Sequence, residues 1–264
     1  MYFGSRSLFC SHTPCYLAIV ALNTPFLSII IPAHNEASRL PRTLERIFAF
    51  LNTQAYSSEV IVVENGSTDR TFELASEFLK NHPELTVIHE ENRGKGNAVR
   101  RGILSAKGEY RFICDADLSM PIEDLPKFLP PTLNDFDIAI GSREAPGSIR
   151  YNEPPYRHVG GRAINFAIRT LILPGLNDTQ CGFKCFRAEA TASLFQQQTL
   201  TGWSFDIELL YLARRKKLRV REIPIQWYYD PDSKVSAVRD ALRMISDIFR
   251  IHFNAMRGMY DSKT

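Results

Sequence analysis

Phe112-Ile113-Cys114-Asp115-Ala116-Asp117 carries an apolar run straight into two carboxylates one residue apart. Tyr110 to Cys114 reads as a strand buried on both faces, the kind found in parallel sheets covered by helices. In extended backbone, residues two apart point to the same side, so Asp115 and Asp117 are expected to face one ion together. At the carboxyl end of a buried strand, such a pair can hold a hard divalent cation against phosphate oxygens. Asp-x-Asp alone is a weak signal, because the spacing recurs in turns and helix caps, and its neighbours decide its meaning.

Those neighbours repeat one pattern. Phe26 to Ile31 (ending at Pro32), Glu59 to Val63, Leu85 to His89 and Phe136 to Gly141 are further β-rich apolar runs. Helical patterns separate them: Ser38 to Leu51, a helix capped by Asp69 through Leu79, and one that follows Asn92-Arg93-Gly94-Lys95-Gly96 through Ser105. Alternating strands and helices predict an α/β fold with a mostly parallel sheet covered on both faces. Ligands bind such sheets at the carboxyl ends of the strands. His34-Asn35-Glu36, Glu64-Asn65, Asp115 with Asp117, and Ser142-Arg143 all fall there.

Beyond Arg143 the pattern loosens. Glu144 to Pro155 is rich in Gly and Pro and reads as a mobile loop. A helix is expected over Tyr156 to Leu173, a turn over Asn177 to Gly182, helices near Arg187 to Phe195 and Phe205 to Lys216, and a late strand over Leu218 to Trp227. Trp203, Phe205 and Tyr211 read as core. Lys234 to Met256 is helical by spacing, with Val235, Val238, Leu242, Ile245, Phe249, Phe253 and Met256 three or four apart, and Arg239, Arg243 and Arg250 on a neighbouring face. Packing of that helix on its own domain is the preferred expectation; the alternative is an interfacial helix whose arginines meet anionic headgroups.

Composition narrows the partners. Net charge is +3, too small to argue for nucleic acid, and no nucleic-acid-binding signature is present. The five cysteines are odd in number and lack zinc-ligand spacing, so reduced thiols in a cytosolic compartment are expected. No apolar run is long enough to span a bilayer. Residues 1–25 read as a loosely ordered extension or an overcalled start in preference to a weak signal peptide.

Ser28-Ile29-Ile30-Ile31-Pro32-Ala33-His34-Asn35-Glu36, Val62-Val63-Glu64-Asn65-Gly66-Ser67-Thr68-Asp69, Arg93-Gly94-Lys95-Gly96-Asn97 and Asp115-Ala116-Asp117 resemble, in order, the motifs of family 2 glycosyltransferases with the GT-A fold. Asp178-Thr179-Gln180-Cys181-Gly182-Phe183-Lys184, Trp203-Ser204-Phe205-Asp206-Ile207-Glu208-Leu209-Leu210 and Ser233-Lys234 extend the likeness to the polyprenyl-phosphate branch, above all to dolichyl-phosphate glucosyltransferases.

The resemblance implies a three-layer α/β/α GT-A domain over residues 26–233. Residues 26–143 would form its donor half and 144–233 its acceptor half, with 234–264 a C-terminal amphipathic helix and tail. It implies donor-nucleotide contacts for Pro32, Ala33, Glu36, Glu64, Asn65, Lys95 and Asp115. Many relatives place an aspartate where Asn65 stands, which puts a base contact there in question. Asp115 and Asp117 are implied ligands of Mg²⁺ or Mn²⁺, with Asp117 the direct one. Arg143, Arg157 and Lys234 match basic positions near the acceptor phosphate, and Asp206 stands where many members keep a catalytic base.

The implied activity is inverting transfer of glucose from UDP-glucose to a polyprenyl phosphate, at the cytoplasmic face of a membrane. GDP-mannose is the second donor. Transfer to a carbohydrate hydroxyl with Asp206 as base is the rival reaction, and a non-catalytic sugar-nucleotide-binding protein is the remaining class. A phosphate acceptor is already anionic, so it needs cations to orient it and no base to activate it.

Overall fold

The computed structural model describes residues 24–155, 162, 168–231 and 237–261, with the side chains of 237–241 left aside. In chain order its first half runs β1 (Leu27–Ala33), α1 (Leu40–Leu51), β2 (Ser58–Glu64), α2 (Thr71–Glu77), β3 (Leu85–His89), α3 (Lys95–Ser105), β4 (Tyr110–Ile113) and β5 (Ile138–Ser142). The second half adds β6 (Ile149–Tyr151), β7 (Lys184–Arg187), α4 (Ala188–Gln197), α5 (Phe205–Arg215), β8 (Val220–Pro224), β9 (Gln226–Tyr228) and α6 (Ala237–Met256).

The two-residue period of the central strands builds the layers. In β1, Leu27, Ile29, Ile31 and Ala33 join one apolar cluster while Ile30 joins the other; in β2, Val60 and Val62 go to the first and Ile61 and Val63 to the second. Against the first face, α1 lays Leu40, Leu44, Ile47, Phe48 and Leu51, a helical stripe that begins beside a proline at its first turn. Against the second face lie α3, α4, α5 and one side of α6. The expected three-layer α/β sandwich is the observed one.

The sheet order is β3-β2-β1-β4-β7-β5-β8. β1 pairs in parallel with β2 and β4, β2 with β3, and β5 with β8. β7 is the exception, antiparallel to both β4 and β5, and the sequence reading had no strand there. Its four residues begin and end on a cation, which hides a buried strand from a hydrophobicity pattern.

Two other expectations change. The run Leu218 to Trp227 divides, because Pro224 has no N–H to continue the ladder; β8 stays in the main sheet and β9 pairs with β6. The segment read as a mobile loop, Glu144 to Pro155, therefore contains a strand. Cys114, Cys181 and Cys185 are free and buried, as expected of reduced thiols.

Candidate active site

The loops after β1, β2, β4 and β5 and the turn before β7 meet at one edge of the sheet. After β1, Glu36 is almost buried and its carboxylate accepts both Nε (2.7 Å) and Nη2 (2.8 Å) of Arg39. Arg39 also pairs with Asp230, bringing the segment after β9 to this edge. At the end of β2, Glu64 accepts the Ser67 N–H and lies 2.5 Å from Nδ1 of His89. Burial pushes the Glu64 carboxyl up, but these partners outweigh it and hold the group below its ordinary value.

Asn65 is committed to backbone. Its Nδ2 donates to the carbonyls of Asn92 (2.6 Å) and Glu90 (3.3 Å), and its Oδ1 accepts the Gly94 N–H at 2.6 Å. An aspartate could accept from Gly94 but could not donate to two carbonyls. Gly94 has φ +134°, and a Cβ there would sit 2.2 Å from the Thr201 carbonyl oxygen, so only glycine allows the loop to turn against the segment before α5. The loop thus held opens α3 with Lys95.

Lys95 places Nζ 2.6 Å from Asp115 Oδ1 and 4.9 Å from the centre of the Trp203 ring. Burial would lower its pKa, but Asp115, Asp206 and Asp117 raise it, so it remains a cation. β4 ends at Ile113, and Asp117 lies in a turn in which Asp115 accepts the Leu118 N–H. The two acids therefore converge through that turn and not through the alternation of an extended strand. Asp117 Oδ1 accepts the Ser119 N–H at 2.9 Å, and the Ser119 carbonyl accepts the Tyr228 N–H from β9. Burial and then the Asp115 charge push the Asp117 carboxyl up, against the pull of the Ser119 N–H, Lys95 and Arg39. Gly182 closes the turn before β7 directly on this pair: a Cβ there would lie 2.0 Å from Asp115 Oδ2.

Asp206, in the first turn of α5, is buried, and its Oδ1 forms an ion pair with Nζ of Lys184 at 2.9 Å. Burial pushes its carboxyl up, opposed by Lys184 and Lys95. Lys184 is itself buried in β7 and donates to the Cys181 carbonyl. Sequence reasoning had no role for Lys184, since only the antiparallel strand carries it to Asp206. Trp203, expected in the core, is 43% exposed beside Lys95. Glu208 is buried and structural, accepting from Thr199, Leu200 and the Tyr260 hydroxyl.

At the end of β5, Arg143 donates to Asp178 from N (3.0 Å), Nε (2.6 Å) and Nη2 (2.9 Å). The Arg143 guanidinium stands 5.5 Å from the Trp227 ring, and that of Arg150, paired with Glu144 and Glu153, stands 5.9 Å from the same ring. Burial would raise the Asp178 carboxyl, but Arg143 holds it down at about 2. Glu222 of β8 in turn accepts the N–H groups of Asn177 and Asp178. Arg157 and Lys234, expected beside Arg143, lie outside the described residues, and Arg162 is exposed.

Residues 28–195 match the family model described as glycosyl transferase family 2. The chain belongs to that family. Among its relatives, dolichyl-phosphate beta-glucosyltransferase of Drosophila melanogaster is 36% identical over 249 residues, covering 89% of this chain and 76% of that protein. The proteins of the same name from Dictyostelium discoideum and Homo sapiens are each 32% identical, covering 90% of this chain and 77% and 78% of theirs. A solved structure of Mycobacterium tuberculosis glucosyl-3-phosphoglycerate synthase with Mn²⁺, UDP-glucose and glycerol 3-phosphate superposes with a TM-score of 0.63 at 17% identity, over 92% of this chain and 86% of that one. That likeness extends to the fold.

Proposed function

We propose that this chain is an inverting hexosyltransferase that moves glucose from UDP-glucose to a polyprenyl phosphate, giving a β-linked lipid phosphosugar. The observation that carries the reading is the meeting of Asp115, Asp117 and Lys95 at the end of β4. It gains weight in a chain 31–36% identical, over most of its length, to dolichyl-phosphate beta-glucosyltransferases. A lipid acceptor places the reaction at a membrane surface, and the cytoplasmic face is the side assigned to it. Among the described residues no helix is long and apolar enough to cross one.

Asp115 and Asp117 fit a divalent cation, Mg²⁺ or Mn²⁺. Two acids share one turn, and the charge of the first makes ionisation of the second unfavourable, a repulsion that a hard cation relieves. Among the described residues no cluster of three or more acidic, histidine or cysteine side chains that could hold a metal ion exists, so Asp115 and Asp117 would hold the cation together with oxygens of the bound donor. When bound, the cation neutralises charge on the departing diphosphate.

The chain's own groups then divide the work. Pro32, Ala33 and Glu64 line the nucleoside end, with Glu36 braced by Arg39 and Asn65 acting through the loop that presents Lys95. Lys95 offers a fixed positive charge beside the diphosphate. On the acceptor side Arg143, Arg157 and Lys234 hold the phosphate in line with the anomeric carbon. Asp178 orients the Arg143 fork through Nε and Nη2, which turns the Nη1 side toward the ligand. The acceptor oxygen attacks as the anion it already is, the bond to the diphosphate breaks, and the anomeric configuration inverts. Asp206 orients Lys184 and Lys95 and removes no proton.

One observation favours a second reading: the upward-shifted Asp206 carboxyl is what a general base for a carbohydrate hydroxyl would need. A single assay separates the readings. The purified chain is incubated with radiolabelled UDP-glucose or GDP-mannose, a polyprenyl phosphate, and Mg²⁺ or Mn²⁺. Label from UDP-glucose entering the organic phase is the expected result. Label from GDP-mannose alone would reassign the donor, and label found only in water-soluble saccharide would overturn the lipid acceptor.

A further inference from the structure

The packed side of α6 is not the one its sequence advertises. Met244, Ile248 and Ile251 are buried in the core, with Ala255 packed against it. The stripe Leu242, Ile245, Phe249, Phe253 and Met256 faces outward, with Leu242, Phe249 and Met256 exposed by 66%, 68% and 79%. Met259 continues it. These side chains form a row about 20 Å long at helical rise, a larger run of exposed apolar groups than scattered surface residues make.

We infer that this outer stripe of α6 is a docking surface for an anionic phospholipid bilayer, lying in the headgroup–acyl boundary. The inference rests on the lipid-phosphate reading above and adds to it the surface that meets the membrane. Three observations carry it. First, Arg243, Arg250 and Arg257 recur every seven residues along one edge of the stripe, exposed, with the Arg257 guanidinium 4.7 Å from the Phe253 ring. Apolar groups edged by arginines suit an anionic interface, where the guanidinium reaches headgroups while its neighbour inserts. Asp247, half-buried, lies toward the packed side.

Second, α6 is fastened to the domain from behind. The Tyr260 hydroxyl donates to Glu208 (2.7 Å) and Asn254 Nδ2 to Thr199 Oγ1 (3.1 Å), so exposing the stripe needs no unfolding. Third, Gln180 Nε2 lies 3.2 Å from Met244 Sδ, which sets the packed side of α6, in its N-terminal half, against the turn whose Asp178 grips Arg143. A bilayer on the outer stripe would then lie one helix diameter (~10 Å) from that turn.

The test is flotation of the full chain with vesicles of phosphatidylcholine alone or mixed with phosphatidylserine, with no donor or acceptor present. Wild type is expected to float with the mixed vesicles, less with phosphatidylcholine alone, and Phe249→Ser/Phe253→Ser to lose at least ~10-fold in partitioning. The same variant should keep wild-type transfer to a detergent-dispersed acceptor and lose it with acceptor in vesicles. Undiminished flotation of the variant would overturn the proposal, as would a wild-type dimer in light scattering that this variant converts to monomer. Failure of glucosyl transfer with flotation intact would instead strike the catalytic reading and leave the docking surface standing.

Discussion

Arg143 and Asp178 form a two-pronged ion pair, Nε to Oδ2 at 2.6 Å and Nη2 to Oδ1 at 2.9 Å, with the carboxylate wholly shielded from solvent. The pair joins the end of β5 to the turn before β7, so it fixes these two loops of the candidate site against each other. Truncating Asp178→Ala leaves a guanidinium without its counter-charge. Loss of one partner of a fully buried pair costs roughly 3–5 kcal/mol, and because the Arg143 side chain is 22% exposed, urea unfolding should read the lower end of that range. A loss below about 1 kcal/mol would mean the pair is not structural.

The same carboxyl sets a pH dependence. Its pKa in the fold, about 2, lies below the ordinary 3.8. Stability from this group is therefore fully present above the ordinary value and is lost as pH falls from about 4 through about 2. The shift corresponds to roughly 2 kcal/mol. Urea unfolding free energies of wild type and Asp178→Asn should converge as pH falls through that window, because the amide has nothing to protonate. Parallel curves would assign acid sensitivity to other carboxylates.

Asn65→Asp tests whether this side chain serves the loop or the base. The acid keeps the bond from Gly94 but loses two donated hydrogen bonds and sets its charge against two carbonyls, a cost of about 1–3 kcal/mol. Lys95 would then be presented less precisely. A rise in donor KM of about 10-fold with acceptor KM unchanged is expected from steady-state kinetics. An unchanged or lowered donor KM would return position 65 to direct base recognition.

Asp117→Asn separates activity from stability in the opposite sense. Burial and Asp115 both disfavour the Asp117 charge, so its removal should leave the melting temperature at or above that of wild type. Transfer should fall by ~10²-fold or more, and a chelator should silence the wild type until Mg²⁺ or Mn²⁺ is restored. Metal-independent turnover would remove the cation from the donor site.

Gly182→Ala places a methyl 2.0 Å from Asp115 Oδ2, so the carboxylate must move. Gly202→Ala, with no atom within 4 Å of its added Cβ, is the control. We expect Gly182→Ala to cost transfer about 10-fold or more through misplacement of one acid, while calorimetry shows a folded protein. Equal activities for the two variants would show that Asp115 tolerates displacement.

Much of the fold and of the candidate site is legible in the sequence. The apolar alternation of Leu27–Ala33 and Ser58–Glu64 serves two faces at once, and a strand with no polar face belongs only in the middle of a covered sheet. Glu64, Lys95, Asp115 and Arg143 could be placed on one edge because each follows its own strand within a few residues. Asn65 was visible as a departure from the family pattern, but its hydrogen bonds to Glu90, Asn92 and Gly94 were not.

Short-range periodicity and local motifs in the sequence set the alternation of strands and helices from β1 to β5, the edge on which the polar groups gather, and the family. Tertiary structure alone decided which residues complete the site and which surface is left open. Arg39 meets Asp230 across 191 positions, and Lys184 reaches Asp206 only because a short charged strand inserts antiparallel between β4 and β5. Helix α6 carries two apolar stripes, and nothing in a helical period states which of them the core will take. That choice falls to the shape of the partner surface, which Met244, Ile248 and Ile251 fill, leaving Leu242, Phe249 and Met256 outside.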